Sequence, residues 1–163
     1  HHRSVVHARI RSPDARRCRL RSIHARARDA RALRARAAEL PARVAAEAVQ
    51  SMTKKMVALS SGDADKSSAS YINTMSRYAA IKEEESQKCK DEVLVLWTDF
   101  FKPQHLEAYP DLHTTFWMAA KLCSACKVEV SEQHAQELMD AVEEIHNMFW
   151  ATKGRDVSWV RAS

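Results

Sequence analysis

Val93-Leu94-Val95-Leu96-Trp97-Thr98-Asp99-Phe100-Phe101, closed by Lys102-Pro103, is the longest dense apolar run in this 163-residue chain. On a helical wheel Cys89, Val93, Leu96 and Phe100 share one seam, and Leu94, Trp97 and Phe101 widen it past a third of the circumference. A helix apolar over so wide an arc has neighbours on more than one side, which makes this the central helix of a bundle. Pro103 sets its end, because a proline in the next turn would remove a hydrogen bond and clash with the carbonyl before it.

Working outward, the segment upstream of the run reads as the same helix. It starts at Ser68 or Ser70, either of which can cap it, and Tyr71, Met75 and Tyr78 mark its buried side. Lys82-Glu83-Glu84-Glu85-Ser86-Gln87-Lys88 is helix-compatible but polar all round, and it reads as a solvated face. With no Gly or Pro to interrupt it, one helix is expected from 70 to 102. An earlier helix from Val44 to Leu59 carries Ala45, Val49, Met52, Met56 and Leu59 at packing-seam spacing, and Gly62 stands where it should terminate.

Downstream, Pro103 to Pro110 reads as a loop and Asp111 as the N-cap of a third helix bearing Leu112, Phe116, Ala119, Cys123 and Cys126. Lys127 to Val130 alternates like a strand but has no partner strand, so it reads as a loop. Ser131 caps a last helix with Leu138, Val142, Ile145 and Phe149 on its seam, and Gly154 closes it. Trp159 and Val160 in the tail are placed to fold back. Four near-heptad seams with short connections predict an all-α, antiparallel bundle of about four helices. The domain reading is a basic segment over 1–43, a helical bundle over 44–152 and a tail over 153–163.

Composition supports helices, with only 2 Gly and 4 Pro. No window approaches the length of apolar sequence that spans a membrane. The net charge of +5 conceals two unlike parts. Residues 1–43 hold 13 Arg and no Lys against Asp14, Asp29 and Glu39, a balance of +10, and the remainder carries −5. That Arg/Ala-rich segment has three readings. It is a cleaved transit peptide, which would place the protein in an organelle, either mitochondrion or plastid. It is a basic arm that holds nucleic acid through its phosphates. Or it is a non-native leader ahead of a true start at Met52 or Met56.

Chemistry-bearing patterns are few. Cys123 and Cys126, three apart, are metal or redox candidates, with His134 as the nearest histidine in sequence. The pair falls at a helix C-terminus, where the dipole opposes thiolate formation, and its spacing to His134 matches no zinc finger. The expectation is that both thiols fill the core and that no metal or cofactor is bound. Glu143 and His146 have the spacing used in di-iron bundles, but no second such pair exists. Glycine-elbow and phosphate-loop motifs are absent. His105, Glu107, Tyr109, Asp111 and His113 could line a pocket, but an exposed connector is the preferred account of them.

Trp97, Trp117 and Trp150, with Phe100, Phe101, Phe116 and Phe149, are more aromatic surface than one small core clearly needs; core filling is the preferred account of most of them, and Trp97, Phe101, Trp117 and Trp150 are the candidate interface anchors. These features predict a non-enzymatic helical interaction protein, an accessory subunit of a larger assembly, with no catalytic residues. Two alternatives of other classes stand beside it: a metal- or redox-active bundle using Cys123 and Cys126, and a nucleic-acid-associated protein acting through residues 1–43.

Overall fold

The structure, a computed structural model, describes residues 41–161. The readings of the Arg/Ala segment therefore fall almost wholly outside the described residues. Four helices follow one another: α1 over 41–61, α2 over Ala69–Val95, α3 over Leu112–Val128 and α4 over Glu132–Thr152. A π turn, Leu96–Phe100, continues α2, and a short 3₁₀ helix, Pro103–Leu106, follows it. Among the described residues there is no strand, and the expected all-α bundle is what forms.

Side-chain contacts fix the directions. Lys90 Nζ donates to Ser124 Oγ at 3.0 Å, Lys127 Nζ to Gln87 Oε1 at 2.7 Å and Trp97 Nε1 to His113 Nδ1 at 2.9 Å, so α2 and α3 are antiparallel. Gln50 Nε2 donates to Gln136 Oε1 at 2.7 Å, tying α1 to the first half of α4. At its other end Arg43 donates to the Val160 carbonyl, so α1 runs against α4. The beginning of α1, the π turn, the start of α3 and the end of α4 thus share one end of the bundle.

Most caps follow the sequence. Ser68 Oγ accepts from the Tyr71 amide and Ser131 Oγ from the His134 amide, each at 3.2 Å. Gly154 adopts φ 64°, the left-handed conformation that ends α4 without a Cβ penalty. Asp111 occupies the N-cap position of α3 but its side chain caps nothing. The chain arrives there through a tight turn in which the Leu112 amide bonds the Tyr109 carbonyl at 3.1 Å. That leaves Asp111 at φ −88°, ψ 7°, outside the extended geometry a cap needs.

Two features depart from expectation. The stretch 82–88 is not polar all round in its surroundings, because Lys82 and Ser86 are buried. Together with Cys89, Val93 and Leu96 they continue one seam at helical spacing, so the central seam passes straight through the polar segment. Second, the α2 ladder loosens at its end, where the Phe101 amide reaches the Leu96 carbonyl at 3.4 Å. Thr98 Oγ1 donates to the Leu94 carbonyl at 2.8 Å, a back-bond that widens helices. Lys102 is extended at φ −136°, ψ 161°, as the residue before a proline must be. α3 also runs to Val128, two residues into the segment read as a loop.

The core centres on Phe116 and Phe149, with Leu96, Leu112, Leu138, Met139 and Ile145 fully buried around them. The tail does fold back. Val157 O lies 2.8 Å from His146 Nε2, and the Trp159 ring packs edge-on to His146 at 5.2 Å.

Candidate functional site

Residues with chemical potential gather at two places. The first lies between α2 and α3, where Cys89, Cys123 and Cys126 are all buried and reduced. The Cys89 thiol is pushed well above the ordinary range by its hydrogen bond with Cys123 and by burial. Burial first, and the neighbouring Cys123, push Cys126 up to about 11. Cys89 and Cys126 are therefore neutral thiols at physiological pH, poor nucleophiles and poor metal ligands, and Cys123 is buried between α2 and α3 with them.

Beside them Lys82 Nζ donates to the carbonyls of Cys126, of Lys127 at 3.0 Å and of Glu129 at 3.1 Å. The first two are orphan carbonyls of the last turn of α3 and the third belongs to its extended C-cap residue, and the ammonium sits at the negative end of that helix. Burial lowers the Lys82 pKa, partly offset by Cys126 and Glu83. Lys82 is a structural cap supplied by another helix.

His134 does not join the cysteines. Its Nδ1 lies 3.1 Å from Glu129 Oε2 at the start of α4. Glu143 and His146 are likewise separate in role, since His146 engages the returning tail. Among the described residues no three His, Cys, Asp or Glu side chains converge as a metal site.

The second place is the end of the bundle holding the π turn. Trp97 stacks on Phe116 with centroids 5.9 Å apart, and its indole N–H is donated to His113 Nδ1. Because indole nitrogen only donates, His113 Nδ1 accepts, and its neutral ring carries hydrogen on Nε2. His105 is set the same way, with Nδ1 accepting from the Lys102 amide at 3.2 Å and its ring against Phe100 and Phe101. Burial, then Lys102, hold its pKa below the usual imidazole range.

Phe100 continues to Phe149 at 4.7 Å, and Phe149 to Trp150 at 5.0 Å. Lys153 Nζ lies 4.6 Å from the Phe100 centroid and the Arg155 guanidinium 5.1 Å from Trp150.

The proposed interface aromatics divide. Phe101 is in the core, Trp97 and Trp150 are half-buried, and Trp117 is 52% exposed with Lys121 over its ring at 5.8 Å. Tyr109, Pro110 and Asp111 line a cavity of about 170 Å³ with Thr115, Glu144 and Met148, while His105 and His113 lie outside it. Sequence reading passed over Lys102, Lys153 and Arg155. The signal available was their position, bracketing the two most aromatic segments of the chain.

Residues 38–153 match the family model described as nickel-containing superoxide dismutase. Over 112 residues the chain is 35% identical to the nickel superoxide dismutases of Streptomyces seoulensis and of Streptomyces coelicolor, covering 69% of this chain and 78% of each relative. A solved nickel-containing superoxide dismutase with its nickel ligation in the oxidised state superposes with TM-score 0.62 at 34% identity. That likeness covers 72% of this chain and 92% of the other. The apo form of a nickel superoxide dismutase superposes with TM-score 0.61 at 33% identity, covering 72% and 96%. Residues 38–51, upstream of Met52, fall inside the family match.

The family implies nickel, and the described residues do not fit it. Nickel favours thiolate and imidazole donors, whereas here the three thiols are buried and no three His, Cys, Asp or Glu side chains converge among the described residues. The likenesses nevertheless overturn the expectation of a non-enzymatic accessory subunit. The relatives are enzymes, and the periodicity that suggested an interaction protein reports only how helices pack. The chain belongs to the nickel-containing superoxide dismutase family.

Proposed function

We propose that the chain is a superoxide dismutase whose helical bundle is the scaffold and whose metal donors lie outside residues 41–161. The reading is carried by the family match over residues 38–153. Dismutation converts superoxide to dioxygen and hydrogen peroxide and consumes protons. Within the bundle, the chain's own contribution is an aromatic end flanked by two imidazoles whose Nδ1 atoms are engaged as acceptors. Outside it, Cys18 and the histidines at 1, 2, 7 and 24 are residue types suited to nickel.

This assignment competes directly with the reading of residues 1–43 as a cleaved presequence, because cleavage would remove those residues. The experiment is the full chain expressed with nickel, with metal content measured by mass spectrometry and superoxide decay by pulse radiolysis. Bound nickel and accelerated decay, both lost in Cys18→Ala, are the expected result. A full chain that takes up no nickel and leaves superoxide decay unchanged ends the proposal.

A further inference from the structure

The cysteines between α2 and α3 are nucleophilic groups that the dismutase reading leaves unused. Cys89 and Cys123 are completely buried and Cys126 nearly so. Among the described residues they belong to neither a metal site nor a disulfide. A single buried thiol is ordinary core filling. Here two of them, on different helices, are held against each other.

Polar contacts on both sides set that placement. Lys90, next to Cys89, donates to Ser124, next to Cys123, and one turn further on Gln87 accepts from Lys127. These two rungs fix the antiparallel register so that Cys89 faces Cys123, and the two thiols hydrogen-bond to each other. Their neighbours along the seam are small. Ser86 on α2 and Ala119 and Ala120 on α3 are buried as well, which lets the helix axes come close. Two sulfurs in contact across closely packed helices are what a disulfide requires. Cys126 lies one turn beyond Cys123, and Lys82 bonds its carbonyl.

We propose that Cys89 and Cys123 are a peroxide-responsive modification site, at which oxidation closes a disulfide between α2 and α3. Hydrogen peroxide is the oxidant. It converts one thiol to a sulfenic acid and releases water. The second sulfur then attacks the sulfenic sulfur, an S–S bond forms, and the sulfenic hydroxyl leaves with the second thiol's proton as another water. Two thiols lose two hydrogens and two electrons, and one peroxide becomes two waters. That the protein makes its own peroxide rests on the dismutase reading above; the pairing of the sulfurs does not.

Burial gates the step. In the closed bundle peroxide is kept from both sulfurs. Cys123 rides on the C-terminal half of α3, whose end is fixed by the Lys82 ammonium, so release of that cap is the motion that admits the oxidant. Reclosure returns the sulfurs to contact, and a sulfenic acid meets its partner thiol before a second peroxide. The product is a covalent staple across the seam that has just opened.

The test uses the full chain, incubated with hydrogen peroxide, alkylated in denaturant and mapped by peptide mass spectrometry. Wild type and Cys126→Ala should yield the Cys89–Cys123 cross-link with two hydrogens lost, and Cys89→Ala and Cys123→Ala should not. The cross-linked wild type should unfold at a urea midpoint higher by roughly 1–2 M, a shift that dithiothreitol reverses. Lys82→Met should speed cross-linking roughly tenfold. Recovery of Cys89 and Cys123 as free thiols, as sulfinic acids or in disulfides with other cysteines overturns the site. A cross-linking rate unchanged in Lys82→Met overturns the gate. Because the peroxide is added, a chain that cross-links but leaves superoxide decay unchanged keeps the site and overturns only its internal source of oxidant.

Discussion

The two ends of the α2–α3 pair make opposite use of their residues. One end holds three cysteines and a lysine, the residue types most often linked to catalysis, and renders them inert by burial and hydrogen bonding. The other is built from phenylalanine, tryptophan and two histidines, with cations lying over its rings and both histidines held by hydrogen bonds at Nδ1. Reactivity in this fold follows exposure and local electrostatics, not residue type.

The sharpest way to break the comparison is at the point where the aromatic end meets the core. Phe116 is fully buried and touches both Trp97 and Phe101. Phe116→Ala should lower unfolding free energy by roughly 3–5 kcal/mol in urea titration. A loss under about 1 kcal/mol would mean that this end is loosely packed.

At the other end, Lys82→Met keeps the volume but strands three carbonyls at the α3 terminus. We expect a loss of about 3 kcal/mol, with amide exchange accelerated over 125–129 specifically. Uniform exchange across α3 would show that the ammonium does not cap it.

The thiols sharpen the contrast through pH. A thiol whose folded pKa is raised stabilises the fold fully below its unfolded value near 9. That contribution is lost as pH climbs through the folded value of about 11. Between these values stability should fall by on the order of 2 kcal/mol, and Cys126→Ala should flatten that part of the curve. Native Cys89, Cys123 and Cys126 should also resist a thiol reagent until the chain unfolds. The smallest effect is expected at His113. His113→Ala removes the acceptor for Trp97 at an exposed position, costing roughly 0.5–1 kcal/mol, with a shift in Trp97 emission as the diagnostic.

How much of this was legible beforehand depended on the kind of interaction. The helices, Ser68, Ser131 and Gly154 are local signals, carried by periodicity and cap chemistry, and they read correctly. Lys82 and Ser86 were opaque because a hydrophobic pattern sees a polar residue as exposed, whereas here the partners are carbonyls far along the chain. Asp111 misled because cap identity is necessary but the preceding turn sets its geometry.

No three His, Cys, Asp or Glu side chains converge within residues 41–161, so a metal centre had no signal there to read. The enzyme class came through likeness over the whole bundle, which no single motif in the chain carries. Cations ringing an aromatic group are scattered in sequence and meet only when α4 returns beside the π turn.

Lys82 has one more consequence, in time. Helices usually finish with a residue adjacent to their own last turn, so they can form before they find neighbours. The end of α3 is instead completed by a residue 44 positions upstream. α3 can start early, nucleated by its own apolar face, but its last turn stays frayed until α2 has docked in register. Docking and termination are then a single event in folding. A chain with α2 slipped by one turn would carry an uncapped α3 as its mark, so the buried ammonium acts as a proofreading contact for the register of the two helices.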